Sequence, residues 1–346
     1  RSGVANPAAT AAALFTSLMT EEHDGSELCF PQLNTSCRKP VTSWSEAVFL
    51  RFLLFSVSTL TTALNLLVII SISHFRQLHK PTNLLLLSLS VSDFLVGLVA
   101  FPGVILKKTS CWFLGDFMCS LYKYITSISI GSSVGNMVLI SVDRYVMICD
   151  PLHYPTRVTV GRVKLTIFLC WLCSNLYSSL FVKDVTFQND KDISCYGRCV
   201  FHINYALGVF DLVVTFIVPV TVIIVLYLRV FLVAVSQART MRSQIKTVKL
   251  QHTVTLTSRK SELKAARTLG VLISVFLICF CPYYSVSSAG VNSNTSYGII
   301  VPCLYCFNSC LNPLIYTLFY SWFRRAIKLI VTLQILQPGS QEANIL

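Results

Sequence analysis

The chain has 346 residues, 54% of them apolar and only 12% charged. A soluble domain uses about 25% charged residues to cover its surface, so this chain, with a mean hydropathy of +0.65, belongs in lipid. Its net charge of +13 is no nucleic-acid footprint, because the basic residues fall in short stretches between apolar runs, where they report topology.

Residues 1–47 form a polar leading segment. It starts with Arg1, and its ANPAATAAALF run lacks both the basic region and the apolar stretch of a signal peptide. Met19 is a candidate initiator, which would make residues 1–18 an upstream artefact. Seven apolar runs follow, each long enough to cross about 30 Å of hydrocarbon. Leu53–Ile72, Leu165–Val182, Leu269–Ala289 and Tyr297–Tyr320 carry no acid, lysine or arginine. Asn83–Leu106 carries Asp93, Phe117–Val142 carries Lys123 and Val200–Leu228 carries Asp211. The expected fold is an all-α membrane protein, a seven-transmembrane helix bundle over residues 48–321 of a multi-pass plasma-membrane chain.

Every second connection is basic: Arg76 and Lys80, then Arg157, Arg162 and Lys164, then a longer 230–263 loop, then Arg324, Arg325 and Lys328. The N-terminus is therefore expected outside and the C-terminus inside. Residues 322–346 read as a short amphipathic helix and tail. Phe323, Ile327 and Ile330 would lie in the lipid interface beside basic residues, and no cysteine follows Cys310 to carry a palmitate. Six cysteines, Cys29, Cys37, Cys111, Cys119, Cys195 and Cys199, fall on the oxidising side, where disulfides form but spacing does not fix their pairing. Asn34-Thr-Ser is a glycosylation acceptor on the same side, and Asn294-Thr-Ser a second sequon in a short loop.

Polar residues at membrane depth carry the chemistry, since each must face the bundle interior and find a partner. Asp93 has Asn65, Ser129, Ser133, Asn308, Ser309 and Asn312 on neighbouring spans. Two readings fit this cluster: a structural polar knot, or a hydrated cavity for a small cation such as sodium. At the inner end of span three stands Asp143-Arg144-Tyr145, and Glu262 opens span six. An Arg144–Glu262 pair would hold the bundle closed, with Tyr227 and Tyr316 joining once it opens. Pro219, Pro282 and Pro313 kink three neighbouring spans. Asp211 lies eight residues before Pro219, hence in the outer half of span five. It has two readings: a structural pair with Lys123, or an acid facing a cavity that takes a cationic ligand between the aromatic walls of Phe280, Tyr283, Tyr284 and Tyr305.

Asn65, Asp143-Arg144-Tyr145, Trp171, Pro282 and Asn312-Pro313-Leu-Ile-Tyr316 together resemble the fingerprints of class A, rhodopsin-like G-protein-coupled receptors. The run from Asn308 to Phe323, with Lys260–Phe276 and Leu28–Cys37, resembles the trace amine-associated receptors over residues 27–335. The resemblance implies a Cys119–Cys199 bridge and a second bridge Cys29–Cys195, with Cys37 the lesser donor. It also implies a sodium site of Asp93, Ser133, Asn308 and Asn312, and Arg144 as the residue that meets a heterotrimeric G protein.

Three positions depart from the family pattern. The ammonium-binding Asp of span three is Thr126, the span-six Trp is Phe280, and the amine-lining Tyr of span seven is Cys306. With Asp211 in span five, the chain resembles the teleost-expanded olfactory members, in which the amine-pairing acid has moved to that span. This implies a small amine as ligand and signalling through a stimulatory G protein to cyclic AMP. The competing reading is another aminergic subtype, or a receptor for a non-amine ligand with Asp211 tied to Lys123. The last span has no lysine for retinal, and no His/Asp/Glu set has metal or nucleophile spacing, so a light sensor and an enzyme are both disfavoured. The absence of two-fold internal repetition disfavours a transporter.

Overall fold

The computed structural model describes residues 27–39, 44–187, 195–199, 205–244, 270–271, 274–285 and 297–345. Helix α1 is Trp44–His74 and α3 is Gly115–Cys149. Helix α2 runs over Pro81–Thr109, with a π turn at Val96–Ala100. Helix α4 is Val160–Phe187. Helix α5 comprises Tyr205–Leu212 and Val218–Gln244, joined by a π turn at Val213–Ile217. Helix α6 is described over Ser274–Ser285, α7 is Tyr297–Phe319 and the amphipathic α8 is Ser321–Val331. Among the described residues the first five helices are long and apolar enough to cross a membrane. With α6 and α7, the seven spans expected from the sequence fall on seven helical segments.

The bundle is arranged for hydrocarbon. Phe52, Phe55, Phe168 and Leu180 point outward, exposed by 75%, 63%, 62% and 70%, whereas Asn65, Asp93, Asn136 and Asn312 are sealed inside at 0%. In water this order would oppose the hydrophobic effect; in lipid it satisfies polar groups internally and offers the solvent what resembles it. Helix α3 runs through the middle, packed against α2, α4 and α5. Trp171 of α4 donates its indole N–H to Ser88 Oγ of α2 at 3.0 Å, and Ser58 of α1 donates to the Gly97 carbonyl at 2.8 Å. One continuous apolar core links Val68, Leu86, Met137, Phe276 and Tyr316.

Both π turns sit shortly before a proline. Pro102 and Pro219 remove one N–H each, and the chain widens a turn upstream to accommodate the freed carbonyl. Pro102 was not among the kinks expected from sequence. A second difference concerns length: α5 stays helical to Gln244, into what the sequence reading assigned to the 230–263 loop. Charge marks where the membrane ends, whereas the Ala-, Gln- and Arg-containing stretch beyond it has ample helix propensity. After α8 the chain returns to the α1–α2 turn. His74 Nε2 lies 3.0 Å from Ser340 Oγ, Gln77 donates to the Glu342 carbonyl, and Ile345 is fully buried.

Candidate functional site

At the Cys119 end, three disulfides close the bundle. Residues 28 and 38 pair antiparallel, and Ser36 bridges Tyr196, so a small hairpin lies against the 195–199 segment. Cys119 is bonded to Cys199, Cys37 to Cys195 and Cys29 to Cys111. The expected Cys29–Cys195 bridge is therefore corrected: Cys37, named as the lesser donor, takes Cys195. The hairpin decides it. The Cys29 N–H donates to the Cys37 carbonyl at 2.8 Å and the Cys37 N–H to the Tyr196 carbonyl at 2.9 Å, which sets Cys37 beside Cys195 and turns Cys29 toward the end of α2. Gly197, at φ +106°, completes the knot; a Cβ there would press on Cys29. Asn34 is exposed on the hairpin turn. Nearby, the Lys39 ammonium holds the Glu27 carboxyl below its usual range.

Beneath this cap lies a cavity of about 290 Å³. Thr126 of α3 and Asp211 of α5 both line it, with Tyr283 and Tyr284 of α6 and Tyr305 and Cys306 of α7. Phe280, expected in the wall, does not line the cavity but stands one turn earlier in α6, its ring 4.4 Å from that of Tyr305. Tyr283 and Tyr305 stack at 4.4 Å, and Thr215 and Tyr284 share a hydrogen bond of 2.6 Å between hydroxyls. The acid has a partner that sequence reasoning missed: Tyr177 of α4 donates to Asp211 Oδ1 at 2.5 Å. No sequence signal marks this tyrosine, which sits in an uncharged span. Lys123 also lines the cavity, yet its ammonium lies 5.8 Å over the Phe181 ring and no ion pair joins it to Asp211 within 4 Å. Lys107, Lys108 and Tyr122 line it as well. The sequence reading overlooked the two lysines because the apolar run stops at Leu106, whereas the helix continues to Thr109.

Deeper in the bundle, Asp93 gathers donors from two helices. Ser133 and Ser309 donate to Oδ1 at 2.9 and 2.8 Å, and Asn312 Nδ2 donates to Oδ2 at 2.7 Å. Asn65 ties α1 to the Ser309 carbonyl at 3.0 Å. Ser129, grouped with this cluster from sequence, bonds its own helix at the Ile125 carbonyl instead. The buried Oδ1 atoms of Asn65, Asn308 and Asn312 have no hydrogen-bond partner among the described residues. Orphaned oxygens beside a carboxylate suit a hard cation, which takes oxygen ligands, so the residues fit a sodium ion.

At the opposite end, Asp143 accepts from Thr82 Oγ1 at 3.0 Å and from the Tyr154 hydroxyl at 2.8 Å. Buried Arg144 approaches Asp143 at only 3.8 Å and also donates to Met147 Sδ at 3.5 Å; Tyr145 is half-buried beside it. Tyr227 of α5 places its hydroxyl where a Cβ on Gly270 would stand, so α5 and α6 touch here. Tyr316, next to Pro313 and one turn past Asn312, is fully buried, and its hydroxyl has no hydrogen-bond partner among the described residues. Glu262, the expected partner of Arg144, lies outside the described residues, as do residues 1–18 and Asn294. In the turn after α3, His153 hydrogen-bonds Asp150 and holds that carboxyl below its usual range.

This arrangement has relatives. The profile of seven-transmembrane receptors of the rhodopsin family matches residues 64–316. Trace amine-associated receptor 13c of Danio rerio is 34% identical over 338 residues, which cover 95% of this chain and 98% of that protein. Trace amine-associated receptor 7b of Rattus norvegicus is 38% identical, with 92% of each chain covered. Trace amine-associated receptor 9 of Mus musculus is 38% identical over 92% of this chain and 94% of its own. A bundle with an aromatic cavity at one end, a buried carboxylate in the middle and an Asp-Arg-Tyr triplet at the other is thus a receptor and not an enzyme: the chain belongs to the trace amine-associated receptors, multi-pass plasma-membrane proteins of the rhodopsin-like class.

Proposed function

We propose that this receptor detects small amines by pairing their ammonium with Asp211, and that it signals inward through a stimulatory G protein to cyclic AMP. One observation carries the reading. Asp211 opens on the same cavity as Thr126, among Tyr283, Tyr284 and Tyr305, so the span-three position usual for the acid is vacant of charge while the opposite wall supplies it. Tyrosine faces attract a cation and its apolar substituents. The names of the relatives point to amines, and the alternating loop charge puts this cavity outside and Arg144 inside. The sequence offers two partners for Asp211, Lys123 or a ligand's ammonium, and its bond to Tyr177 rather than to Lys123 favours the ligand over the structural pair.

On this reading amine binding draws α5 and α6 together at the outer end. The Pro219 and Pro282 bends carry that movement inward, and Arg144 is released toward the G protein. Sodium held by Asp93, Ser133, Asn308 and Asn312 would supply positive charge to the bundle centre and favour the closed arrangement. Olfactory detection of amines is the role the family resemblance suggests.

The test is Asp211→Asn in cells expressing the full chain, with cyclic AMP as readout across primary and tertiary amines. Losing one partner of a buried charge pair costs about 3–5 kcal/mol, so potency should fall by at least about two decades at matched surface level. An unchanged half-maximal concentration would refute the pairing.

A further inference from the structure

The cavity holds more positive charge than an amine site needs. Three lysines line it, Lys107, Lys108 and Lys123, against the single carboxylate of Asp211. All three are half-buried, and among the described residues none has a carboxylate within 4 Å. Two of them rest on aromatic rings: Lys107 lies 5.6 Å over the Tyr122 ring and Lys123 lies 5.8 Å over Phe181. Lys107 and Lys108 are neighbours at the end of α2, whereas Asp211 comes from α5 and its hydrogen-bond partner Tyr177 from α4. The cavity therefore carries two cations from α2, Lys107 and Lys108, a third from α3, Lys123, and an acid from α5, Asp211.

Lysines at the last turn of a helix complement its dipole, and that alone would explain one of them pointing to solvent. It does not explain two lining the same cavity as a third. Like charges held together away from bulk water repel, and complementary charge on a ligand relieves the cost.

We propose that the ligand is a zwitterion whose ammonium meets Asp211 and whose carboxylate meets Lys107 and Lys108. The proposal rests on the amine reading of Asp211. It names an ω-amino carboxylate, with the two charges at opposite ends of an apolar spacer lying along Tyr283 and Tyr305. An α-amino acid, with both charges on one carbon, would not reach both α2 and α5. A diamine would bring its second ammonium against the lysines and is rejected.

The test uses the purified full-length receptor and its thermal stability as readout, which needs no G protein. The probes are hexylamine, ε-aminocaproate, caproate and hexamethylenediamine, repeated with shorter and longer spacers. The amino carboxylate should stabilise at concentrations about tenfold or more below the monoamine of equal length, with the diamine weakest of the amines. Lys107→Gln with Lys108→Gln should erase that advantage and improve the diamine; Lys108→Gln alone serves if the double variant does not fold. Asp211→Asn should abolish binding of every amine. A wild-type order with monoamine or diamine ahead, unchanged by the lysine variants, overturns the zwitterion while Asp211→Asn still reports on the amine reading. Binding that survives Asp211→Asn, or stabilisation by caproate alone, overturns the amine reading itself. No probe binding at any length overturns both.

Discussion

Two acids inside the bundle meet different fates. Asp93 is saturated, with both oxygens taken by Ser133, Ser309 and Asn312, whereas Asp211 has one hydroxyl from Tyr177 and an open cavity before it. The donors around Asp93 fix its carboxylate in the bundle centre, whereas Asp211, oriented by Tyr177, faces open space and is poised for a ligand. Tyr177→Phe should therefore weaken amine response without abolishing it. A hydrogen bond to a charged group contributes about 1.5–3 kcal/mol, so half-maximal concentrations should rise by about one to two decades. Dose–response curves at matched surface expression check this, and an unshifted curve would mean Tyr177 does not orient Asp211. Asp93 and Asp211 were legible in the sequence because an ionisable group in an apolar run stands out against its neighbours, and Asp143 because it opens the Asp-Arg-Tyr triplet that ends span three. Tyr177 was not, since a tyrosine in a span is compatible with lipid, interface or cavity, and only its approach to Asp211 distinguishes them. Lys107 and Lys108 escaped for a related reason: hydropathy ends at Leu106, three residues before the helix does.

At the scale of elements, helix existence follows from apolar run length, but helix ends and cross-links depend on tertiary neighbours. Helix α5 outlasts its apolar run, which ends at Leu228, and continues to Gln244, and the pairing of six cysteines depends on a hairpin that hydropathy cannot register. The disulfides give this a direct check. If Cys29 bonds Cys111 and Cys37 bonds Cys195, Cys29→Ser and Cys111→Ser should lose surface expression equally, and the double variant should lose no more than either. Cys37→Ser and Cys195→Ser should form a second matched pair. Closing a loop of this length contributes about 2–4 kcal/mol, enough to lower the folded, surface-labelled fraction measurably. Additive losses for Cys29 and Cys111, with matching losses for Cys29 and Cys195, would restore the pairing expected from sequence.

Across the whole molecule, polar side chains form an interrupted axis. It passes from Asp211 at one end, through Asp93 and the orphaned amides of Asn308 and Asn312, to buried Tyr316 and then Arg144 at the other. Tyr316, one turn past Asn312, is fully buried on α7 between these polar groups. The weakest link is Arg144. Asp143, its chain neighbour, gives its oxygens to Thr82 and Tyr154 and leaves the guanidinium a 3.8 Å approach. A buried arginine so poorly compensated calls for a further acid, because an unpaired charge away from water is costly. Glu262, eight residues before Gly270, is the lone acid between Arg229 and Arg267, and α6 already touches α5 at Gly270 through Tyr227. If Glu262 closes the bundle over Arg144, Glu262→Ala should raise ligand-independent cyclic AMP. A coupling of about 1–3 kcal/mol corresponds to a shift of about 5–150-fold in the open-to-closed ratio, well within the range of a basal assay. Glu262→Gln, which keeps a hydrogen-bonding group and drops the charge, should fall between alanine and wild type. That graded order separates a charge pair from a mere packing contact, for which glutamine would behave as wild type. Basal signalling equal to wild type in both variants, at equal surface level, would show that Arg144 is held by something else and that the switch lies elsewhere on the axis.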